Sequence, residues 1–215
     1  LEFRRVLFRS GTSVGVDMLF GGGQYDFGIM AAMGVLVPSG FRERHPDLLA
    51  GDPPVLKQAQ GGEIWYDPED RYYGACFSSF GICFNLDSLA DMGYETSVPE
   101  RTLTRWSDLA DPRLFRAIGA ADPSKSGSIN KCFEMIIQQR MAEVVAAAAP
   151  QGLAEVDAER RAETLAKAWS EALLLVRLIG ANARYFTFSA GKVPVDVAKG
   201  DIAAGMCIDF YGRSQ

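Results

Sequence analysis

The chain has 215 residues, of which 48% are apolar, 11% aromatic and 23% charged, with a formal net charge of −5. That length can bury one large core or two small ones, and the composition excludes a disordered segment. The acidic balance argues against a surface for nucleic acid or anionic membrane, and no apolar run approaches the roughly 20 residues that span a bilayer.

Residues 1–10, LEFRRVLFRS, stand apart. They translate CTG GAG TTC AGA CGT GTG CTC TTC CGA TCT, which matches a widely used sequencing adapter, so the segment is read as adapter carried into the reading frame and not as fold. The alternative is a short basic arm. Without its three arginines and one glutamate the rest of the chain carries −7. On this reading the natural N-terminus is missing, any signal sequence is lost by truncation, and the ending shortly after the turn-like Tyr211-Gly212 is a second cut.

Along the remaining chain, residues 14–20 (VGVDMLF) read as a short buried strand running into Gly21, Gly22 and Gly23. A helix over 25–33 follows, ended by Gly34. A polar, Pro-rich loop reaches residue 54, and 64–67 form a short strand. Residues 72–85 (YYGACFSSFGICFN) are strand-like, dense in aromatic and small side chains. Helical signals then cover 86–92 and the turn 106–109, with a buried strand at 117–121. A helix starts at Ser128 with Ile129, Cys132, Phe133, Ile136 and Ile137 on one face. The run 143–150 is Ala-rich. A strongly amphipathic helix spans 162–178, with Leu165, Trp169, Ala172, Leu173, Val176 and Ile179 expected to face the core. Strand-like 185–188, a turn at 189–193, a short helix at 194–199 and a strand at 206–210 close the chain. Strands alternating with helices predict an α/β fold with a largely parallel sheet.

The glycine run after the first strand lacks the third glycine of a dinucleotide loop, and no Gly-Lys-Ser/Thr phosphate loop is present. What remains is a set of backbone N–H groups at a helix start, suited to an anion or simply to a tight turn. Ser78 and Ser79 sit in an apolar run, either bonded to backbone or facing a polar cleft; the position of Phe77 denies them the glycine of a nucleophile elbow. In the stretch Asp122-Pro123-Ser124-Lys125-Ser126-Gly127-Ser128, a strand ends and hydroxyl and N–H groups cluster at a helix start, where Ser126, Gly127 and Ser128 can cap the helix and also hold a polar group. Tyr72 and Tyr73 resemble a metal pair, but neighbouring strand residues point to opposite faces, which favours packing. Asp209 and Tyr211 place a carboxylate and a phenol at a strand's carboxyl end, where α/β proteins hold ligands. Cys76, Cys83, Cys132 and Cys207 show no metal-binding spacing and read as buried free thiols, their disulfide state left open. The sequence offers contacts for holding a molecule and no catalytic set, no metal site and no cofactor motif.

Five stretches, VGVDMLFGGG, RYYGACFSSFGICFN, TRWSDLADPR, ADPSKSGS and NARYFTFSAGKVPVDVAKGDIAAGMCIDFYG, occur in the order found in the solute-binding proteins of ABC importers, and the chain resembles the ferric-iron-binder-like group of that family. The resemblance implies an α/β, two-lobed type 2 periplasmic binding fold with an incomplete first lobe. Residues 11–86 would be part of lobe 1, 87–205 lobe 2, and 206–215 the return crossover, with the outward crossover at 80–85. It implies a non-enzymatic, periplasmic or otherwise extracytoplasmic protein whose partners are a small-molecule solute and ABC permease subunits. The implied ligand contacts are Gly21, Gly22, Gly23, Ser78, Ser79, Ser126, Gly127 and Ser128, with Ser189, Asp209 and Tyr211 beside them. Iron binders of this group carry two adjacent tyrosines at the return crossover. Here Tyr211 is followed by Gly212, so an organic solute with an anionic or polyhydroxyl group is expected instead of ferric ion. Two alternatives stay open: a receptor's sensory domain, and an enzyme on a similar two-lobed scaffold.

Overall fold

The computed structural model describes residues 17–21, 23–60, 63–76 and 78–215. The chain divides into two compact units, the second being Ser78–Gln215.

In the first unit, helix α1 (Gln24–Ala32) begins where the Gly23 N–H meets the Asp26 carboxylate at 3.3 Å, and it stops at Gly34 with φ 70°. Two single-turn helices, α2 (Phe41–Arg44) and α3 (Pro46–Leu49), precede a minimal antiparallel pair, β1 (Ala59–Gln60) with β2 (Glu63–Ile64). The loops are tied by carboxylates more than by a core. Asp70 accepts the N–H groups of Gly40 and Arg42 at 2.7 and 3.1 Å, and Asp67 takes both Nε and Nη2 of Arg71 at 2.6 and 3.1 Å. Among the described residues of this unit only Ala31 and Asp67 are buried.

The expected strand at 14–20 takes no regular form over 17–20, and its first three residues lie outside the described set. Tyr72 and Tyr73 face different aromatic partners, as alternation requires: Tyr72 stacks on Phe27, while Tyr73 packs on Phe41 and Tyr66. The long strand foreseen over 72–85 is broken. Tyr73 makes an isolated bridge to Tyr66, and the regular strand starts only at Phe80.

The second unit holds a four-stranded sheet of β3 (Phe80–Phe84), β4 (Ile118–Ala121), β5 (Ala183–Thr187) and β6 (Ala204–Ile208) in the order β3-β6-β4-β5. β4 runs parallel to both β5 and β6, and β3 pairs antiparallel with β6, Phe80 opposite Ile208 and Phe84 opposite Ala204. After β3 comes α4 (Leu86–Asp91), capped by the Asn85 side chain, which accepts the Ser88 N–H at 2.9 Å. The crossover from β4 to β5 is a pair of long helices, α5 (Gly127–Ala148) and α6 (Ala158–Asn182); α7 (Lys192–Ala198) links β5 to β6, and α8 (Asp209–Arg213) follows β6. The alanine run extends α5 to Ala148, because alanine is the best helix former and nothing there stops the helix.

β4 and β6 are buried along their whole length, and Leu89, Leu109, Leu114, Ile118, Ile129, Ile136, Ile179 and Met206 form the centre of the core. Close packing of α7 on the sheet depends on Gly205, whose place leaves no room for a Cβ beside Val193. Asn182, buried at the end of α6, donates to the carbonyls of Leu109 and Asp111 at 2.9 and 2.7 Å, tying the helix end to the 3₁₀ turn Trp106–Ala110. The buried face of α6 is Thr164, Ala168, Ala172, Leu175, Ile179 and Asn182. This corrects the expected face: Leu165, Trp169 and Leu173 sit on its flank, 39%, 50% and 40% exposed.

Candidate functional site

Three parallel strands end at one edge of the sheet, and the antiparallel β3 begins there. The strand ends therefore bring together residues that lie far apart in sequence. β4 delivers residues 122–128, β5 delivers Ser189, β6 delivers Asp209 and Tyr211, and Ser78 and Ser79 lead into β3.

At the end of β4, the Asp122 N–H continues the ladder to the Thr187 carbonyl at 2.8 Å, after which the chain turns. The Asp122 carboxylate accepts both the backbone N–H and the hydroxyl of Ser124, at 2.8 and 2.7 Å, and these bonds hold its pKa below the ordinary value. Ser126 is the N-cap of α5. Its Oγ accepts the Ile129 N–H at 3.4 Å and lies 3.2 Å from the Ser128 hydroxyl. The helix starts at Gly127, one residue before the sequence pattern places it. The cap bond is long, so the N-terminal N–H groups of a 22-residue helix are only partly satisfied from within the chain.

On β6 the backbone leaves the sheet at Ile208, two residues earlier than expected, and Asp209 and Tyr211 open α8. Asp209 and Ser79 are joined twice: the Asp209 N–H donates to the Ser79 carbonyl at 3.0 Å, and the Ser79 N–H donates to the Asp209 carboxylate at 3.3 Å. The Ser78 and Ser79 side chains are exposed. After β5, the Ser189 carbonyl accepts the Lys192 N–H at 3.2 Å. A Cβ on Gly191 would lie 3.8 Å from the Ser189 hydroxyl and 3.7 Å from the Tyr211 ring, so both groups border the Gly191 backbone. Tyr211 also packs against Phe210, with ring centroids 4.5 Å apart.

The structure thus gathers Ser79, Ser126, Gly127, Ser128, Ser189, Asp209 and Tyr211 on one edge, with Ser78 beside them. Gly21 and Gly23 belong to the first unit, and Gly22 lies outside the described residues. Gly21 adopts φ 100°, a backbone form reserved for glycine, which a tight turn explains by itself.

Sequence reasoning missed the support of the Ser189 turn. The Tyr185 phenol and the Lys192 ammonium both bond to the Asp196 carboxylate, and Lys192 lies 4.8 Å over the Tyr185 ring. Burial raises the Asp196 pKa, but the bonds from Lys192 and Tyr185 outweigh it and hold the carboxylate below its ordinary value. Burial, reinforced by Asp196, drives the Tyr185 phenol well above its own. The spacing of Lys192 and Asp196, i and i+4 on a short helix, was the available signal.

All four cysteines are free, and Cys76 is exposed, against the expectation that each is buried. Cys83 and Cys207 are diagonal neighbours on adjacent strands. The Cys83 thiol donates to the Gly205 carbonyl at 3.4 Å, and its contact with Cys207 together with burial pushes its pKa far up. A Cβ on Gly212 would press to 3.1 Å on the Cys207 sulfur, so the backbone after Tyr211 is packed down on a thiol. Among the described residues no group of three or more His, Cys, Asp or Glu side chains is placed to hold a metal ion, and no helix is long and apolar enough to cross a membrane.

No family profile and no curated protein sequence matches the chain. Solved structures similar to it include the following three. The periplasmic binding protein AfuA from Actinobacillus pleuropneumoniae, with exogenous fructose-6-phosphate bound, is 20% identical with a TM-score of 0.41, over 62% of this chain and 32% of its own. The periplasmic binding protein P5PA is 16% identical with a TM-score of 0.43, over 61% and 31%. An ABC transporter structure from Clostridium perfringens ATCC 13124 is 15% identical with a TM-score of 0.39, over 64% and 33%. The match spans about a third of the length of these proteins.

Proposed function

We propose that the chain is part of an extracytoplasmic solute-binding protein that captures a small polar or anionic molecule between two lobes and delivers it to ABC permease subunits. The observation that carries this reading is the convergence of Ser79, Ser126, Ser128, Ser189, Asp209 and Tyr211 at the carboxyl edge of one sheet. The edge combines N–H and hydroxyl donors at the start of α5 with the acceptors Asp122 and Asp209. That mixture suits an organic solute bearing hydroxyls and one anionic group better than a bare metal ion. Tyr211, with Gly212 packed on Cys207 beside it, gives one tyrosine where the iron binders of the resembled group carry two. On this reading ligand contacts made from both lobes select the closed state, and residues 11–86 belong to the first lobe.

The test is calorimetric titration of the chain, and of a version extended to the full gene, with a panel of hydroxylated carboxylates and sugar phosphates. Ser126→Gly removes the hydroxyl while costing only a few tenths of a kcal/mol in capping. The expected result is saturable binding that Ser126→Gly and Asp209→Asn each weaken about tenfold, the effect of one charge-assisted hydrogen bond. Turnover of a panel member, or tight ferric binding with a Tyr211-dependent colour band, would overturn the proposal.

A further inference from the structure

One cavity of the second unit takes no part in the site above. An open recess of about 690 Å³ is bordered by Tyr94, Arg101, Arg105 and Arg113, with the buried Leu103 among its lining. Two carboxylates also line it, and both are engaged within the loop. Asp108 accepts the N–H groups of Thr104 and Arg105 at 2.7 and 2.8 Å. Asp111 takes Nε and Nη2 of Arg113 at 3.0 and 2.6 Å. The Arg101 and Arg105 guanidiniums are exposed and have no ion pair or side-chain hydrogen bond among the described residues.

Arg113 is fixed further by stacking 3.8 Å over the Tyr94 ring and by donating from Nη1 to the Gly93 carbonyl at 3.3 Å. The Tyr94 hydroxyl is buried and has no partner in hydrogen-bonding geometry. Burial and the Asp111 carboxylate push its pKa up to about 12, so it stays a proton donor at neutral pH. Three guanidiniums thus line the recess against two carboxylates, a net charge of +1, and Asp111 is already paired with Arg113.

We propose that this recess binds a phosphate-type oxyanion of a soluble molecule, with Arg101 and Arg105 clamping the oxyanion and the Arg113–Tyr94 stack supplying a rigid wall. Guanidinium forks match the geometry of phosphate oxygens, and groups on separate turns of the loop can meet a dianion from more than one side. The recess is far larger than a phosphate ion, which leaves room for the molecule that carries it. The site is independent of the sheet-edge reading, since the two share no residue.

Pyrophosphate titrated calorimetrically into the full chain at low ionic strength tests the assignment, with co-sedimentation on phosphatidylglycerol vesicles as the second arm. The expected result is one saturable event for pyrophosphate that weakens with added salt. It should weaken about tenfold or more in R101Q/R105Q and stay unchanged in Ser126→Gly. Arg101 and Arg105 are exposed, so their double variant should melt as the parent does, keeping loss of binding distinct from loss of fold. Absence of pyrophosphate binding, unchanged affinity in R101Q/R105Q, or binding to the vesicles alone would overturn the proposal.

Discussion

Replacing Gly205 with alanine tests the packing that holds the sheet edge in place. Gly205 lies in β6 between β3 and β4, opposite Cys83 on one side and Gly119 on the other. A Cβ there would stand 2.3 Å from Val193 Cγ1 and 2.7 Å from the Gly119 carbonyl oxygen. Val193 is fully buried and β-branched, so it has few other rotamers, and the Gly119 oxygen belongs to the backbone of the next strand. Relief requires α7 to lift from the sheet or β4 and β6 to separate. Overpacking of a tight core costs about 1–3 kcal/mol, and two obstacles place this case near about 3. For a chain of this size that lowers the melting temperature by roughly 6–12 °C. The assay is a thermal melt followed by circular dichroism, with Gly81→Ala as the control, because a Cβ on Gly81 meets nothing within 4 Å. Adding Val193→Ala to Gly205→Ala should recover only part of the loss, since the backbone obstacle remains. A Gly205→Ala melt within about 1 °C of the parent would refute the reasoning.

Further outcomes follow from the same contacts. Arg113 holds the Asp111 carboxyl down to about 2, so its stabilisation is complete above the ordinary value of 3.8 and is lost as pH falls from there towards 2; R113Q should flatten that acid limb in pH-dependent urea melts, and an unchanged limb would contradict the pairing. Asn182→Ala leaves the Leu109 and Asp111 carbonyls without their buried donor and should cost about 2–4 kcal/mol in urea unfolding; a loss below about 1 would mean that water replaces the side chain. With a disulfide reagent under native conditions Cys76 should react first, while Cys83, Cys132 and Cys207 stay protected until unfolding, Cys132 having its pKa pushed up to about 12 by burial; mass spectrometry of the labelled peptides decides it.

Much of the second unit was legible in the sequence because its signals agree with one another. Ser126 before an apolar helical period, Asp122-Pro123 after a small buried strand, and Gly93 after a short helix each mark a boundary that the backbone obeys to within a residue or two. The sheet-edge cluster was legible for the same reason: most of its members follow strands, parallel strands bring their ends together, and Ser78 and Ser79 precede the one antiparallel strand. The buried face of α6 was not. Apolar residues there cover more than half of the helix circumference, so periodicity fixes a helix without choosing which part of the arc meets the core. Thr164 and Asn182 are buried, while Leu165 and Trp169 lie at the margin. The stretch 72–79 failed differently. Its residues satisfy a strand propensity, but among the described residues Tyr73 makes only a single bridge, to Tyr66, and propensity without a partner strand makes no sheet. The Arg101–Arg113 recess left no signal at all, since its charges are spread over turns with no period.

The pairing of β3 with β6 carries one more consequence. Phe84, where the chain departs towards α4, stands opposite Ala204, where it comes back. Everything from 85 to 203 is therefore a closed excursion whose ends touch, much like a cassette plugged into the chain at a two-pin socket. Such a segment can be lifted out, joined through a short linker and given new termini in one of its exposed loops without stretching the backbone. The bend at residues 150–153, between α5 and α6, is a natural place for those termini. A permuted form opened there would reveal how much of the fold the excursion maintains without β3 and β6.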